Sequence, residues 1–267
     1  MRDEPLFETI RPRTKWLGRR IVHYASRSST MDEARDLAAA GAEPGTVVVA
    51  DEQTGGRGRL DRRWFSPPGS LLATLLVRNE IPVARGGLIA IAAGVALAEA
   101  IRILVRAPAK VKWPNDVWIG SRKVGGVLVE SRVSEAGFEL VLVGIGVNGN
   151  VRENEFPPEL RTLATSVSQH AEGHVCLPAL LKVFIERLEP YLDDLEARDG
   201  GRVLAEARAH SVVLGREVTI DAGGETHEGV VREFGANGEL IVETSEGTKV
   251  IAAGDCELLR PIDPTYP

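Results

Sequence analysis

The spacing of apolar and polar positions divides the chain into a region of mixed helices and strands up to about residue 210 and a region of short strands after it. Ser29 and Thr30 precede Met31-Asp32-Glu33-Ala34-Arg35-Asp36-Leu37-Ala38-Ala39-Ala40, a run of good helix formers with a hydroxyl cap, an acidic first turn and Gly41 as a stop. Residues 46–50 form a β-branched run that enters the Gly-rich stretch 53–59, and 70–77 read as a second strand, so the glycines mark a loop between two strands. Residues 88–105 are apolar on most faces with Ala and Gly interspersed, the pattern of a buried helix packed closely on a sheet. Short β-branched runs at 111–113, 117–119, 124–130 and 138–146, split by Pro114-Asn115, Gly120 and Gly137, predict a hairpin-rich sheet. Two covering helices are expected at 179–197 and 202–209, the first with a break or boundary at Pro190. From Val212 onward, short strands at 217–221, 228–233, 239–243 and 248–252 alternate with Gly-rich turns, as in a small β-barrel that hides its own edges. The pattern predicts an α+β fold, a mixed or antiparallel sheet flanked by helices over residues 1–210 and a β-barrel over 211–267.

Length and charge narrow the chemistry. A chain of 267 residues can bury a sizeable core, either as one large domain or as a domain with a satellite. The net charge of −6 gives no chain-wide footprint for nucleic acid, so anion binding falls to the local basic cluster at 57–63, and the expected ligand is a small anion. Cys176 and Cys256 lie far apart with no CxxC, which argues against a disulfide framework or a zinc site and for a reducing, cytoplasmic setting. The first residues lack an apolar signal core, and the longest apolar stretch, 86–98, is too short to span a bilayer, so neither secretion nor membrane insertion is expected. The five histidines are dispersed without metal-ligand spacing.

Four segments carry candidate chemistry. Gln53-Thr54-Gly55-Gly56-Arg57-Gly58-Arg59-Leu60-Asp61-Arg62-Arg63-Trp64-Phe65-Ser66-Pro67 combines a Gly-rich loop, arginines and an indole: backbone N–H groups and guanidinium forks suit a phosphate or carboxylate, and the ring suits a base. It is not a Walker A loop, because no Gly-Lys-Ser/Thr follows, and taken alone it also reads as a charged surface loop. Lys112-Trp113-Pro114-Asn115-Asp116 sets polar groups at a strand end, where Asn115 and Asp116 could equally cap a turn. In Lys123-Val124-Gly125-Gly126-Val127-Leu128-Val129-Glu130 and in Gly144-Ile145-Gly146-Val147-Asn148, glycines interrupt apolar strands, a sign either of close approach by another molecule or of a β-bulge.

Together and in this order, the Gly-Arg-Gly-Arg loop reaching Trp-x-Ser, Lys-Trp-Pro-Asn-Asp, Lys-x-x-Gly-x-Leu-x-Glu and Gly-x-Gly-x-Asn resemble the signatures of the biotin protein ligase family, from about Ser29 to Asn150, with the terminal barrel matching more loosely. The resemblance implies a class II aminoacyl-tRNA synthetase-like catalytic domain with an SH3-like C-terminal barrel. It further implies ATP-dependent, Mg²⁺-assisted activation of biotin to biotinyl-5'-AMP and transfer to a lysine of a biotin carboxyl carrier domain. Ser29, Thr30, Gln53 and Gly126 would line the biotin pocket, with Met31, Gly56, Gly58, Asn115, Gly125, Leu128 and Gly144 among the binding residues. Arg57 to Arg59 and Lys123 would meet the biotin carboxylate and the phosphate, Trp64 would stack near adenine, and Asn148 would hydrogen-bond nearby. Lys123, Arg59, Lys112 and Asp116 are the expected catalytic set, Asp116 serving the acceptor lysine.

Only 28 residues precede Ser29, fewer than three helices need, so no DNA-binding role is expected. Many relatives have Asn where Met31 stands. Exposed sheet edges in such a fold are compatible with a homodimer. The competing readings are a lipoate or octanoate ligase of the same fold, which the Trp-x-Ser loop disfavours, and a non-catalytic biotin-binding sensor, which Arg59, Lys112 and Lys123 disfavour.

Overall fold

The computed structural model describes residues 6–60, 62–78 and 80–259; Asp61 of the arginine loop and the last part of the predicted C-terminal unit, 260–267, lie outside the described residues. A seven-stranded sheet forms the centre, built from β1 (Arg20–Arg27), β2 (Thr46–Gln53), β3 (Ser70–Val77), β4 (Ala109–Lys112), β5 (Asp116–Ile119), β6 (Arg122–Ser134) and β7 (Gly137–Asn148) in the order β1-β2-β3-β7-β6-β5-β4. β1 runs parallel to β2 and every other pairing is antiparallel. The period of two sorts the central strands into two faces. Leu71, Ala73, Leu75 and Val77 of β3 and Val141, Val143, Ile145 and Val147 of β7 belong to the main core together with α2 (Gly86–Val105) and α3 (Leu177–Ala197). The intervening residues Leu72, Thr74 and Leu76, and Leu142, Gly144 and Gly146, take the other face, where α1 (Thr30–Ala39) packs Met31 and Ala34 on Val48, Leu76 and Leu142.

The buried helix read at 88–105 is α2, with twelve buried positions. It is longer than the 86–98 stretch suggested, and its composition would suffice to cross a membrane; sheet and α3 cover it as a core helix. The break at Pro190 does not occur, because Phe184, Ile185, Leu188, Tyr191, Leu192 and Leu195 keep one buried seam across it and outweigh the lost backbone bond. Strand β1 was not expected: an edge strand bearing Arg20, His23 and Arg27 on a half-buried surface lacks clean alternation.

After α4 (Gly201–Ala209), strands β8 (Glu217–Ala222), β9 (Glu225–Phe234), β10 (Leu240–Thr244), β11 (Gly247–Ile251) and β12 (Asp255–Leu258) form an antiparallel sheet in the order β11-β10-β9-β8-β12. Among the described residues no pairing joins β11 to β12, so the expected closed barrel is an open five-stranded sheet consistent with an SH3-like unit. It is fastened to the larger sheet where Val111 pairs with Ser211 and the Trp113 indole N–H donates to the Gly238 carbonyl at 2.8 Å. At the other end of the molecule the Glu189 carboxylate, 5% exposed, accepts the backbone N–H groups of Lys15, Trp16 and Leu17 at 2.6, 2.9 and 2.8 Å and ties the N-terminal segment to α3.

Candidate active site

The face of the sheet opposite α2 carries a solvent-open cleft. Its floor follows from strand register. Thr74 and Leu128 pair with Gly144 in one row; Gly126 pairs with Gly146 and with Asp116 in the next, two residues and therefore about 7 Å along the strands. In the first row the Thr74 hydroxyl donates to Thr30 Oγ1 at 2.9 Å, and the Thr30 N–H and hydroxyl both donate to Gln53 Oε1, at 2.7 and 2.9 Å. This fixes Gln53 through its carbonyl and leaves its NH₂ group outside those bonds. Ser29 caps α1 by accepting the Met31 N–H at 3.2 Å while lining the same end.

In the second row a β-bulge places the cation. Val117 pairs with Gly125 but Trp118 pairs with Lys123, so Val124 is an extra residue turned into the core. A regular strand would send Lys123 to the α2 face; the bulge returns it to the face of Gly126, where its ammonium pairs with Asp116 Oδ1 at 2.6 Å and lies 5.4 Å from the Trp64 ring centroid. The Lys123 backbone is held by residues 163–165, since its N–H donates to the Leu163 carbonyl and its carbonyl accepts the Thr165 N–H.

The arginine loop forms the wall. Gly58 and Trp64 donate backbone N–H bonds to Arg62 and Gly56, and Arg57 bridges Arg63, giving a small hairpin. Its arginines reach three elements: Arg57 makes two bonds to Asp32 on α1 (2.9 and 2.7 Å), Arg59 donates to Asn115 Oδ1 and the Gly254 carbonyl (3.3 Å each), and Arg62 pairs with Asp255 of the C-terminal unit. The Arg57 guanidinium, ahead of the opposing cost of burial, holds the Asp32 carboxyl down at about 2. Trp64 has a buried indole N–H with no hydrogen-bond partner.

The cleft gathers Ser29, Thr30, Met31, Gln53, Arg57, Gly58, Arg59, Trp64, Asn115, Asp116, Lys123, Gly126, Leu128 and Gly144 from the sequence-predicted set. Gly56, Lys112, Gly125 and Asn148 do not line it. Gly56 makes room for Trp64 and Ser66, Gly125 faces Leu97, and the Lys112 ammonium sits 4.8 Å from the Trp118 ring centroid. Asn148 is buried and donates to the Thr165 carbonyl at 2.9 Å, bracing the segment that holds Lys123. The strand glycines, read as openings for another molecule, first admit the protein's own side chains. A Cβ at Gly144 would lie 2.9 Å from Met31 Sδ, one at Gly146 2.5 Å from the Trp64 indole, and one at Gly126 3.2–3.4 Å from the Lys123–Asp116 pair. Sequence reading missed Thr74, whose only signal is a hydroxyl in an otherwise apolar strand, and Asp255, which arrives from 139 residues beyond Asp116 with no local signal.

A mixed sheet flanked by helices and joined to a C-terminal antiparallel sheet is the fold of biotin protein ligases. The structure overlays that of the Aquifex aeolicus biotin protein ligase in complex with biotin and ATP with a TM-score of 0.76 and 29% identity, covering 91% of this chain and 99% of that one. The model for the biotin/lipoate A/B protein ligase family matches residues 24–148, and that for the biotin protein ligase C-terminal domain matches 213–259. Sequence relatives include the bifunctional ligase/repressor BirA of Bacillus subtilis, 31% identical over 92% of this chain and 76% of that protein. Another is the biotin--[acetyl-CoA-carboxylase] ligase of Paracoccus denitrificans, 31% identical over 86% and 97%. The chain belongs to the biotin protein ligase family.

Proposed function

We propose that the cleft carries out ATP-dependent biotin ligation, with its two rows dividing the work. In the first half-reaction a carboxylate oxygen of biotin attacks the α-phosphorus of ATP, the bond from that phosphorus to the bridging oxygen breaks, and pyrophosphate leaves with the electron pair. In the second, a neutral lysine amine of a biotin carboxyl carrier domain attacks the acyl carbon, AMP departs, and the nitrogen gives up a proton. The observation that carries this reading is one cleft holding both the Thr74–Thr30–Gln53 chain and the Lys123–Asp116 pair, their rows offset by two residues, about 7 Å, along the strands.

The polar row suits the ureido head, since each buried polar group left without a partner costs about 1–3 kcal/mol. Lys123 and Arg59 meet the carboxylate and the α-phosphate; because the carboxylate is already ionised, the step needs positioning and charge neutralisation more than a general base. Trp64 stacks on adenine, and Asn115 orients Arg59. Mg²⁺ would enter with ATP as part of the substrate.

A lysine with pKa near 10.4 is only about one part in 2,500 neutral at pH 7, so the second step benefits from a carboxylate beside the amine. Asp116 fills that role once phosphate has drawn Lys123 away from it. We place the boundary between the catalytic and C-terminal units at 210–211 and the enzyme in the cytoplasm. Its partners are small anions and a carrier protein rather than nucleic acid or membrane, in keeping with a net charge of −6. The edge of β6 beyond Val127, past its pairing with β5 and Asn115, offers a second copy a pairing site for a homodimer. Quenched-flow separation of the steps tests the scheme: Asp116→Asn should still accumulate biotinyl-5'-AMP and transfer it poorly, and equal loss of both steps would overturn the role given to Asp116.

A further inference from the structure

We infer that Asp32 is a positioning residue that holds the arginine loop in place through Arg57, so that Arg57 serves as the anchor of the loop and Arg59 as its anion-facing arginine. Four charged groups from three elements meet at the rim of the cleft. Asp32 in the first turn of α1 accepts both Arg57 bonds and a third from Arg35 at 2.7 Å; Arg35 also pairs with Glu130 on β6, and Glu130 lies 3.8 Å from Arg57. Two guanidiniums and two carboxylates sum to zero charge, so the cluster adds nothing to the pull on an incoming anion. Arg57 is used in a fork that a carboxylate or phosphate ligand would have to break. The bonds of Arg59, two residues on, go to neutral acceptors, Asn115 and the Gly254 carbonyl, and no carboxylate pairs with it among the described residues.

The placement of Asp32 gives the contact its consequence. It follows Thr30 by two residues on the helix whose first turn also orients Gln53, so one rigid element sets both the polar row and the position of the loop. The loop base is fixed independently, by the Thr54 and Gly55 N–H groups donating to the Arg27 and Ser28 carbonyls, and Asp32 fixes the arm beyond it. The inference rests on the ligase reading for its kinetic test but not for its structural one.

The experiment compares Asp32→Asn, Arg57→Gln, Arg57→Lys and the double variant Asp32→Asn/Arg57→Gln with the wild-type chain. Each is assayed for biotin-dependent pyrophosphate release and, without substrates, for the rate of tryptic cleavage within 57–63, with thermal melts to confirm folding. An anchor predicts that Asp32→Asn and Arg57→Lys resemble Arg57→Gln, because lysine keeps the charge but not the fork. Each should raise the KM for biotin and ATP about tenfold with a smaller change in kcat, and the double variant should fall within about twofold of the singles, the non-additivity of one shared interaction. Loop cleavage should rise several-fold in all four. If Arg57 touches the anion instead, Arg57→Lys keeps most activity, Arg57→Gln loses kcat far more than Asp32→Asn, and cleavage of Asp32→Asn matches wild type; any of these overturns the inference. A wild-type chain silent toward biotin would sink the ligase reading alone, and the cleavage comparison would still decide the anchor.

Discussion

Glycine 146 offers a sharp test of how the cleft is built. A Cβ there would sit 2.5 Å from Trp64 Cε2, 2.7 Å from Nε1 and 2.9 Å from Cζ2, whereas carbon atoms settle at about 3.5–4.0 Å. In Gly146→Ala the rigid indole must therefore retreat by about 1 Å or the strand must bend, and overpacking of this kind costs about 1–3 kcal/mol. Because Lys123 lies over the same ring, retreat of Trp64 also displaces groups assigned to the adenylate, where a 1 Å error can lower the rate about a hundredfold. Gly144→Ala is the matched control. Its Cβ would meet Met31 Sδ at 2.9 Å, the far part of a flexible thioether that can swing aside, and it should cost less than about 1 kcal/mol. Urea unfolding and steady-state pyrophosphate release with biotin would measure both terms. Equal behaviour of the two variants, or a Gly146→Ala protein with wild-type stability and kcat/KM, would refute the seating of Trp64 on this strand.

Three further outcomes follow from the geometry. Lys123→Gln removes the cation that the bulge delivers to the second row; one charge pair at 4 Å and an effective dielectric of 20 amounts to about 4 kcal/mol, so adenylation should slow by up to roughly a thousandfold, and a loss below tenfold in single-turnover assays would contradict its role. Glu189→Gln replaces one acceptor oxygen with a donor facing backbone N–H groups, so calorimetry should record a Tm several degrees lower, about 2–4 °C for each kcal/mol at this chain length, and an unchanged Tm would discount the clamp on residues 15–17. The folded-state pKa of Asp32, about 2, lies below its ordinary 3.8, so its contribution to stability is complete above about pH 4 and is lost as the pH falls through 2. Denaturant titrations of wild type and Asp32→Asn should converge across that window, and parallel curves would contradict the pairing with Arg57.

Much of this was legible because the relevant signals are local. The Ser-capped run that becomes α1, the all-face apolar run that becomes α2 and the Gly-punctuated hairpins each declare themselves within a dozen residues. The motif order marks where Arg59, Asp116 and Lys123 enter, but not how they face. That depends on register: one extra residue at Val124 decides which side Lys123 takes, and parity separates Gly126 from Gly125. Thr74 was hidden by its apolar neighbours, Asp32 by its resemblance to ordinary first-turn acidity, and Asp255 by its distance along the chain. Met31, standing where many relatives have Asn, turned out to pack its thioether over Gly144 at the cleft floor, a contact that only the fold reveals.

The most direct measurement of the central claim is pyrophosphate release from Mg²⁺–ATP with biotin, with lipoate and with octanoate, each without carrier protein. The account predicts release with biotin alone, accompanied by biotinyl-5'-AMP. Release with lipoate or octanoate and not with biotin would transfer the cleft to a different acyl group, and no release with any of the three would leave a protein that binds biotin without activating it.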